Sequence, residues 1–582
     1  MQGFGCIPTA SSRTQDLGQP EVLPLAVDAA PTSSTRRTTS RARLAALLVL
    51  LPLAFWLSFP RQELDHLSWF APAAGDRAVT LKGASCPVQV APRNVGPDWR
   101  PEDDEQYKQR AIERLQGAVR IRTESFDDMA GPEDPRFDVM GDLHAYLEAT
   151  FPRVYSTLSV EKVQKWGLLL TWKGSDEALK PVVLMAHQDT VPVNPSTVDQ
   201  WTYPPFDAHV DEDGWIWGRG TADCKNTLVG LFAALDKLIE DDFKPTRTIV
   251  LSSGFDEEIG GHRSAAHLAS ALEARYGKDG VALVLDEGFT GVDTAYGVPF
   301  ARFGMAEKGA VSVQIEVLTT GGHSSVPLSA HTGIGVLAEC IHALEAHPAQ
   351  PLLQTGNPLL QQLQCAADHG DVDKKWQRRV RDPKQWKKLG EEMSREDPIM
   401  RAFLGTTQAV DLIEGGVKLN ALPEYASASV NYRIDFQSSV NETLEHISSI
   451  LKPVVADLNL TFSVYGSHGD VENNVVRLSM VGTSAIESAP LTPTEGAAWD
   501  LMAGTTRHIW EGAVVAPSGM VANTDTKYSW PLTRNIYRFV PGSLELIKNF
   551  HTVDERIHID AHLSGVRFFY KLLRNTEGWE TA

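Results

Sequence analysis

Three short apolar runs constrain the fold more than any other feature of this chain. "PVVLMAH" (181–187), "TRTIVLSS" (246–253) and "VALVLDEG" (281–288) each read as a buried strand, and each ends in polar or acidic residues. Between the first two, "NTLVGLFAALDKLIEDD" sets Leu228, Leu231, Phe232, Leu235, Leu238 and Ile239 at helical spacing. Buried strands alternating with helices imply an α/β fold, a mixed and largely parallel sheet flanked by helices. The carboxyl ends of such strands gather along one edge, where ligands bind.

A second pattern starts near Glu307. "VSVQIEVLT" (311–319) alternates, a helical run follows to His347, and then come "AVDLIEGG", "YASASVNYRID", the helical "ETLEHISSILKPVVADL" and "TFSVYG". This strand–helix–strand–strand–helix–strand order predicts an inserted α+β domain, a ferredoxin-like sandwich with helices on one face of an antiparallel sheet. The expected organisation is a catalytic domain over 98–306, the inserted domain over 307–466 with a helical insertion near 350–405, and the rest of the catalytic domain over 467–582.

The N-terminus differs in kind. Residues 1–43 are rich in Ser, Thr, Pro and Ala and end in Arg36, Arg37, Arg41 and Arg43, a disordered tail by composition. The uncharged "LAALLVLLPLAFWLSF" (44–59) spans about 24 Å as a helix, short of a hydrocarbon core of about 30 Å but able to cross it with snorkelling arginines. The arginines put the tail in the cytosol, so 44–59 reads as a single transmembrane signal anchor with the rest of the chain lumenal. A cleaved signal peptide ending at Ala71-Pro72-Ala73 is the alternative. Residues 60–97 read as a stalk. Sequons at Asn441 and Asn459 fit lumenal exposure. A net charge of −20 excludes a nucleic-acid backbone as partner. Cys6, Cys86, Cys224, Cys340 and Cys365 form no C-x-x-C pair, leaving room for one bridge among the last four.

The strand ends carry the chemistry. They bring His187 and Asp189 in "MAHQDT", Asp223 in "GRGTADCKNT", the acids of "DEEIGG" with Glu257 and Glu258, and Asp286 with Glu287. Each cluster alone fits a structural histidine or a solvated helix start. Four of them in one lobe, without surplus Lys or Arg to neutralise them, form a donor set suited to Zn²⁺, Co²⁺ or Mn²⁺. A pair of ions sharing a carboxylate would relieve the repulsion between adjacent acids, and a free carboxylate beside them is a general base. G-x-S-x-G, a P-loop and H-E-x-x-H are absent.

These motifs, with "WTYPPFDAHVDEDGWIWGRGTADCKNT", "AEKG", "GGHSSVP" and "NFHTVDERI", resemble in order the di-zinc exopeptidase family of carboxypeptidase G and the aminoacylases, from about residue 100 to the C-terminus. The anchor and "NTDTKYSWPLTRNIYRF" (523–539) bring the likeness closest to its vacuolar, Gly-Xaa-cleaving branch. The resemblance implies two Zn²⁺ per subunit, with Co²⁺ or Mn²⁺ as substitutes. It implies metal ligands His187, Asp223 as the bridge, Glu258, Asp286 or alternatively Glu287, and His551. Glu257 becomes the general base and Asp189 the residue that orients His187. The inserted domain corresponds to the family's lid, with His323 polarising the scissile carbonyl and Asn420 and Arg433 holding the substrate carboxylate. A cis peptide at Asp223–Cys224 is also implied. Cys224 and Asn226 depart from the family pattern at positions that donate no ligand.

The expected activity is removal of a terminal amino acid from short peptides. N-acyl amino acid hydrolysis or synthesis at the same site is the nearest alternative, and a tethered binding protein without catalysis the more distant one. The expected partners are a carboxylate-bearing substrate and the membrane, and the expected compartment is the vacuole. The oligomeric state is left open.

Overall fold

The computed structural model describes residues 85–327, 329–465, 473–482 and 485–580. The expected tail and anchor lie outside them, and among the described residues no helix is long and apolar enough to cross a membrane. All three apolar runs form strands, Val182–Met185, Ile249–Ser253 and Leu283–Asp286, with the first pairing in parallel with both others. Ile536–Arg538 adds in parallel to Leu283–Asp286. Gly167–Trp172 extends this core antiparallel on one side, while Val298–Glu307 and Val514–Met520 extend it on the other, so the nine-stranded sheet is mixed.

Burial on both faces explains the unbroken apolar runs. Leu184, Leu251, Leu283 and Leu285 pack with the helices Lys225–Glu240 and Ile559–Asn575, whereas Val183, Met185, Val250 and Val284 pack with the helix Ala265–Tyr276. Leu228, Leu231, Phe232, Leu235 and Leu238 are buried as their spacing predicts. At about 1.5–3 kcal/mol for each such side chain, this helix is a rigid base for the loop just before it, which carries Asp223.

A second, five-stranded sheet runs in the order Thr407–Gly415, Tyr425–Ile434, Gly309–Leu318, Val475–Met480, Thr461–Val464. Val311, Val313, Ile315 and Val317 alternate inward against the helices Gly333–Ala346 and Val440–Asp457. One boundary needs correction here. Val475–Met480 pairs between Gly309–Leu318 and Thr461–Val464, so this lobe runs past residue 466 to Met480. The expected helical insertion is present as four helices from Pro358 to Phe403 around Leu359, Leu360, Leu363 and Leu389. Its first helix, Pro358–His369, lies against Val514–Met520 of the large sheet, where Cys365 and Ala366 meet Val514 and Ala516.

The stalk expectation also fails for its described part. Residues 85–97 lie along the body: Cys86 is disulfide-bonded to Cys365, and Gln89 exchanges two hydrogen bonds of 2.8 Å with the main chain of Val515. Arg93 donates to the Asn575 carbonyl at 2.9 Å. Gln89 thereby meets the backbone of Val514–Met520, the last strand in the sheet order, with a partner from its own chain.

Candidate metal centre

The carboxyl edge of the large sheet gathers the expected residues. His187 Nε2 lies 2.9 Å from Asp223 Oδ1, and His551 Nε2 lies 3.0 Å from Asp223 Oδ2 and 3.1 Å from Glu258 Oε2. Asp223 therefore stands between two imidazoles that lie far apart in the sequence. Among the described residues, two groups have ligand atoms close enough to hold an ion: His187, Asp223 and Cys224, and Asp223, Glu258 and His551. The Asp223–Cys224 peptide is cis, as the resemblance implied. Cys224 Sγ accepts the His187 backbone N–H at 3.3 Å, and burial pushes its thiol pKa up.

Asp189 is fully buried and ties the strand ends together. Its Oδ1 lies 3.3 Å from His187 Nδ1 and accepts the Glu257 backbone N–H at 3.1 Å. Its Oδ2 accepts the Glu258 N–H at 3.1 Å and the Ser125 hydroxyl at 2.6 Å. One carboxylate thus orients an imidazole and the turn that presents both glutamates.

The electrostatics of the protein atoms alone are unfavourable. Burial, reinforced by nearby acids, pushes Glu257 and Glu287 well above the carboxylate range, and burial with the Asp223 charge raises Glu258. Burial raises Asp286 to about 6. Only Asp223 moves down, because hydrogen bonds from His187 and His551 outweigh its burial. Acids packed this closely without a cation repel one another, and a divalent ion is the usual remedy.

Neither Asp286 nor Glu287 belongs to either ligand group. Asp286 is buried. It shares a small cavity with Met185, Leu268, Glu257 and Asp525, its Oδ1 accepts the Glu287 N–H at 2.9 Å, and its Oδ2 has no partner. The His187 charge acts on both acids, and those of Asp223 and Glu258 act on Glu287 as well. His323, Asn420 and Arg433 make no hydrogen bond or ion pair with this cluster among the described residues. His323 pairs across a two-stranded ladder with Ala421, and the Ser324 N–H donates to the Asn420 carbonyl. Arg433 Nη1 reaches Asn523 Oδ1 at 3.2 Å.

Sequence reasoning missed several supports. Glu307 and Arg538 form a fully buried ion pair at 3.1 Å, and Glu307 also accepts from Thr524 and Thr526, flanking the buried Asp525. Glu555 accepts three backbone N–H groups of the loop that carries Asp223. The "NTDT" and "DERI" segments carry a family likeness, but no local spacing marks an acid that works through a distant loop.

A mixed sheet that gathers two imidazoles around a shared carboxylate, with further buried acids beside them, defines a metal-dependent hydrolase. The chain belongs to Peptidase family M20/M25/M40, whose sequence pattern matches residues 183–575. It is 41% identical over 491 residues to carboxypeptidase S of Saccharomyces cerevisiae, covering 81% of this chain and 85% of that protein. It is 31% identical over 475 residues to the human N-fatty-acyl-amino acid synthase/hydrolase, covering 80% and 87%. In fold it matches the M20 family metallo-carboxypeptidase of Sulfolobus solfataricus with a TM-score of 0.54 at 18% identity, over 81% of this chain and 99% of that one.

Proposed function

We propose that the protein is a two-metal carboxypeptidase that releases the C-terminal amino acid from short peptides of the Gly-Xaa type. The observation that carries this reading is Asp223, set 2.9 Å from His187 and 3.0 Å from His551 in the manner of a bridging ligand. The donor set fits two Zn²⁺ ions, since imidazole and carboxylate donors converge where buried acids lack a counter-charge. His187 and Asp223 would hold one ion, with Asp286 or Glu287 beside them, and Asp223, Glu258 and His551 would hold the other. When bound, the ions supply the positive charge that polarises the scissile carbonyl and acidifies the attacking water.

The chain's own residues do the rest. Glu257, half-buried and held by Asp189 through its backbone N–H, takes the proton of the attacking water and passes it to the leaving amine. Arg433 and Asn420 bind the substrate carboxylate, and His323 helps stabilise the oxyanion, with the smaller sheet and its helices acting as a lid. The reading includes a membrane anchor at 44–59 and a lumenal, vacuolar catalytic part. The Cys86–Cys365 bridge suits an oxidising compartment, and the sequon residues Asn441 and Asn459 are exposed.

A second reading, hydrolysis or synthesis of N-acyl amino acids, is favoured by the identity to the human synthase/hydrolase and by the fully exposed Val417 and Leu419 beside Asn420. Competing Gly-Leu against an N-acyl leucine on one enzyme sample tests the choice. Preferred release of leucine from Gly-Leu supports the carboxypeptidase; preference for the acyl substrate overturns it in favour of the second reading.

A further inference from the structure

We infer that Glu555 is a positioning residue that sets the bridging carboxylate of Asp223 against His551. The inference rests on the two-metal reading and adds a residue to it. Glu555 is wholly buried. Its Oε1 accepts the backbone N–H groups of Gly220, Ala222 and Asp223 at 2.9, 2.8 and 3.1 Å, and its Oε2 pairs with the Arg219 guanidinium. Its own carbonyl accepts the Gly218 N–H at 2.9 Å. The loop curls around this oxygen as a nest curls around an anion, which needs the left-handed φ of +90° at Gly220. A side chain there would also collide with Thr190 Cγ2, 2.7 Å from the added carbon.

The placement of Glu555 gives this contact its meaning. It lies four residues after His551, just ahead of the strand Arg556–His558, which pairs with Trp215–Trp217 immediately before the Asp223 loop. One side chain therefore locks the segment that supplies His551 to the loop that supplies Asp223. Three amides and a guanidinium all donate, so only an acceptor-only group satisfies them, and an amide in its place would turn an NH₂ toward a donor.

The test is zinc titration of the metal-stripped full chain against a competing chelator, for wild type, Glu555→Gln, Glu555→Asp and Glu555→Ala, alongside thermal unfolding of each metal-free form. Wild type should take up two equivalents. Glu555→Gln and Glu555→Ala should bind at least one of them roughly 10–100-fold more weakly, the scale of losing a residue that orients a ligand. Glu555→Asp should lose less, and formate should restore affinity to Glu555→Ala by refilling the nest. Variants that melt earlier yet bind both ions with wild-type affinity would make Glu555 merely structural and overturn the inference. Wild type that takes up fewer than two ions would overturn the two-metal reading itself.

Discussion

The Asp189 carboxylate accepts the backbone N–H of Glu257 at 3.1 Å, so the orientation of the proposed base depends on a residue that touches no substrate. Asp189→Asn keeps the shape but turns an NH₂ toward one of the donors Glu257 N–H, Glu258 N–H or the Ser125 hydroxyl. The expected result is a roughly 10–100-fold fall in metal affinity or turnover with the fold intact, checked by chelator competition and steady-state kinetics.

Glu257→Gln should retain its metal content while kcat falls about 10²–10⁴-fold, because the amide neither takes nor returns a proton. Elemental analysis and kinetics on one sample check this. A variant with substantial turnover would remove Glu257 from its role.

Arg433 lies on the smaller sheet and holds Asn523 of the larger lobe at 3.2 Å. Arg433→Ala should raise KM for Gly-Leu roughly 10–100-fold through loss of a charged hydrogen bond, and should leave the much slower cleavage of Gly-Leu amide unchanged. Equal losses on both substrates would contradict a carboxylate-binding role.

Arg538→Met strands Glu307 as an unpaired buried charge, since the ion pair is almost wholly out of solvent. Removing one partner of such a pair costs about 3–5 kcal/mol, so denaturant unfolding should show a loss of that order.

Burial holds His144 and His562 below the histidine range, each to about 4. Unfolded, each takes up a proton near pH 6.5, so between about pH 6.5 and 4 the unfolded chain binds more protons. Their contribution to stability is complete above that window and declines as pH falls through it, by an upper bound of roughly 3 kcal/mol per group. Unfolding of the metal-free protein at pH 7 and pH 5 should therefore show a shallower acid loss in His562→Gln than in wild type.

Much of the large lobe was legible because its strands and helices obey local periodicity. The burial of Leu228, Leu231, Phe232, Leu235 and Leu238 follows from spacing alone. The smaller lobe has one strand more than its sequence pattern shows, because Val475–Met480 comes after the break near Tyr465 and slots between Gly309–Leu318 and Thr461–Val464. His187, Glu257 and Glu258 stand out as polar residues following apolar strands, and Asp223 as an acid in the loop that opens an apolar helix. His551 was reached only through resemblance, since its loop carries no such run, and Asp286 could not be separated from Glu287 because strand alternation alone does not say which acid turns toward Asp223. Glu307, Glu555 and Asp525 were invisible for a different reason: each acts by long-range hydrogen bonds or burial that leave no local pattern.

The proposed hydrolysis needs two ions at the Asp223 bridge. The most direct test is elemental analysis of the purified full chain, with Gly-Leu hydrolysis measured on the same sample before and after chelation and again after zinc is restored. Two zinc equivalents, with activity lost on chelation and regained on restoration, are the predicted result. Full hydrolysis by metal-free protein, or none after zinc is restored, would contradict it.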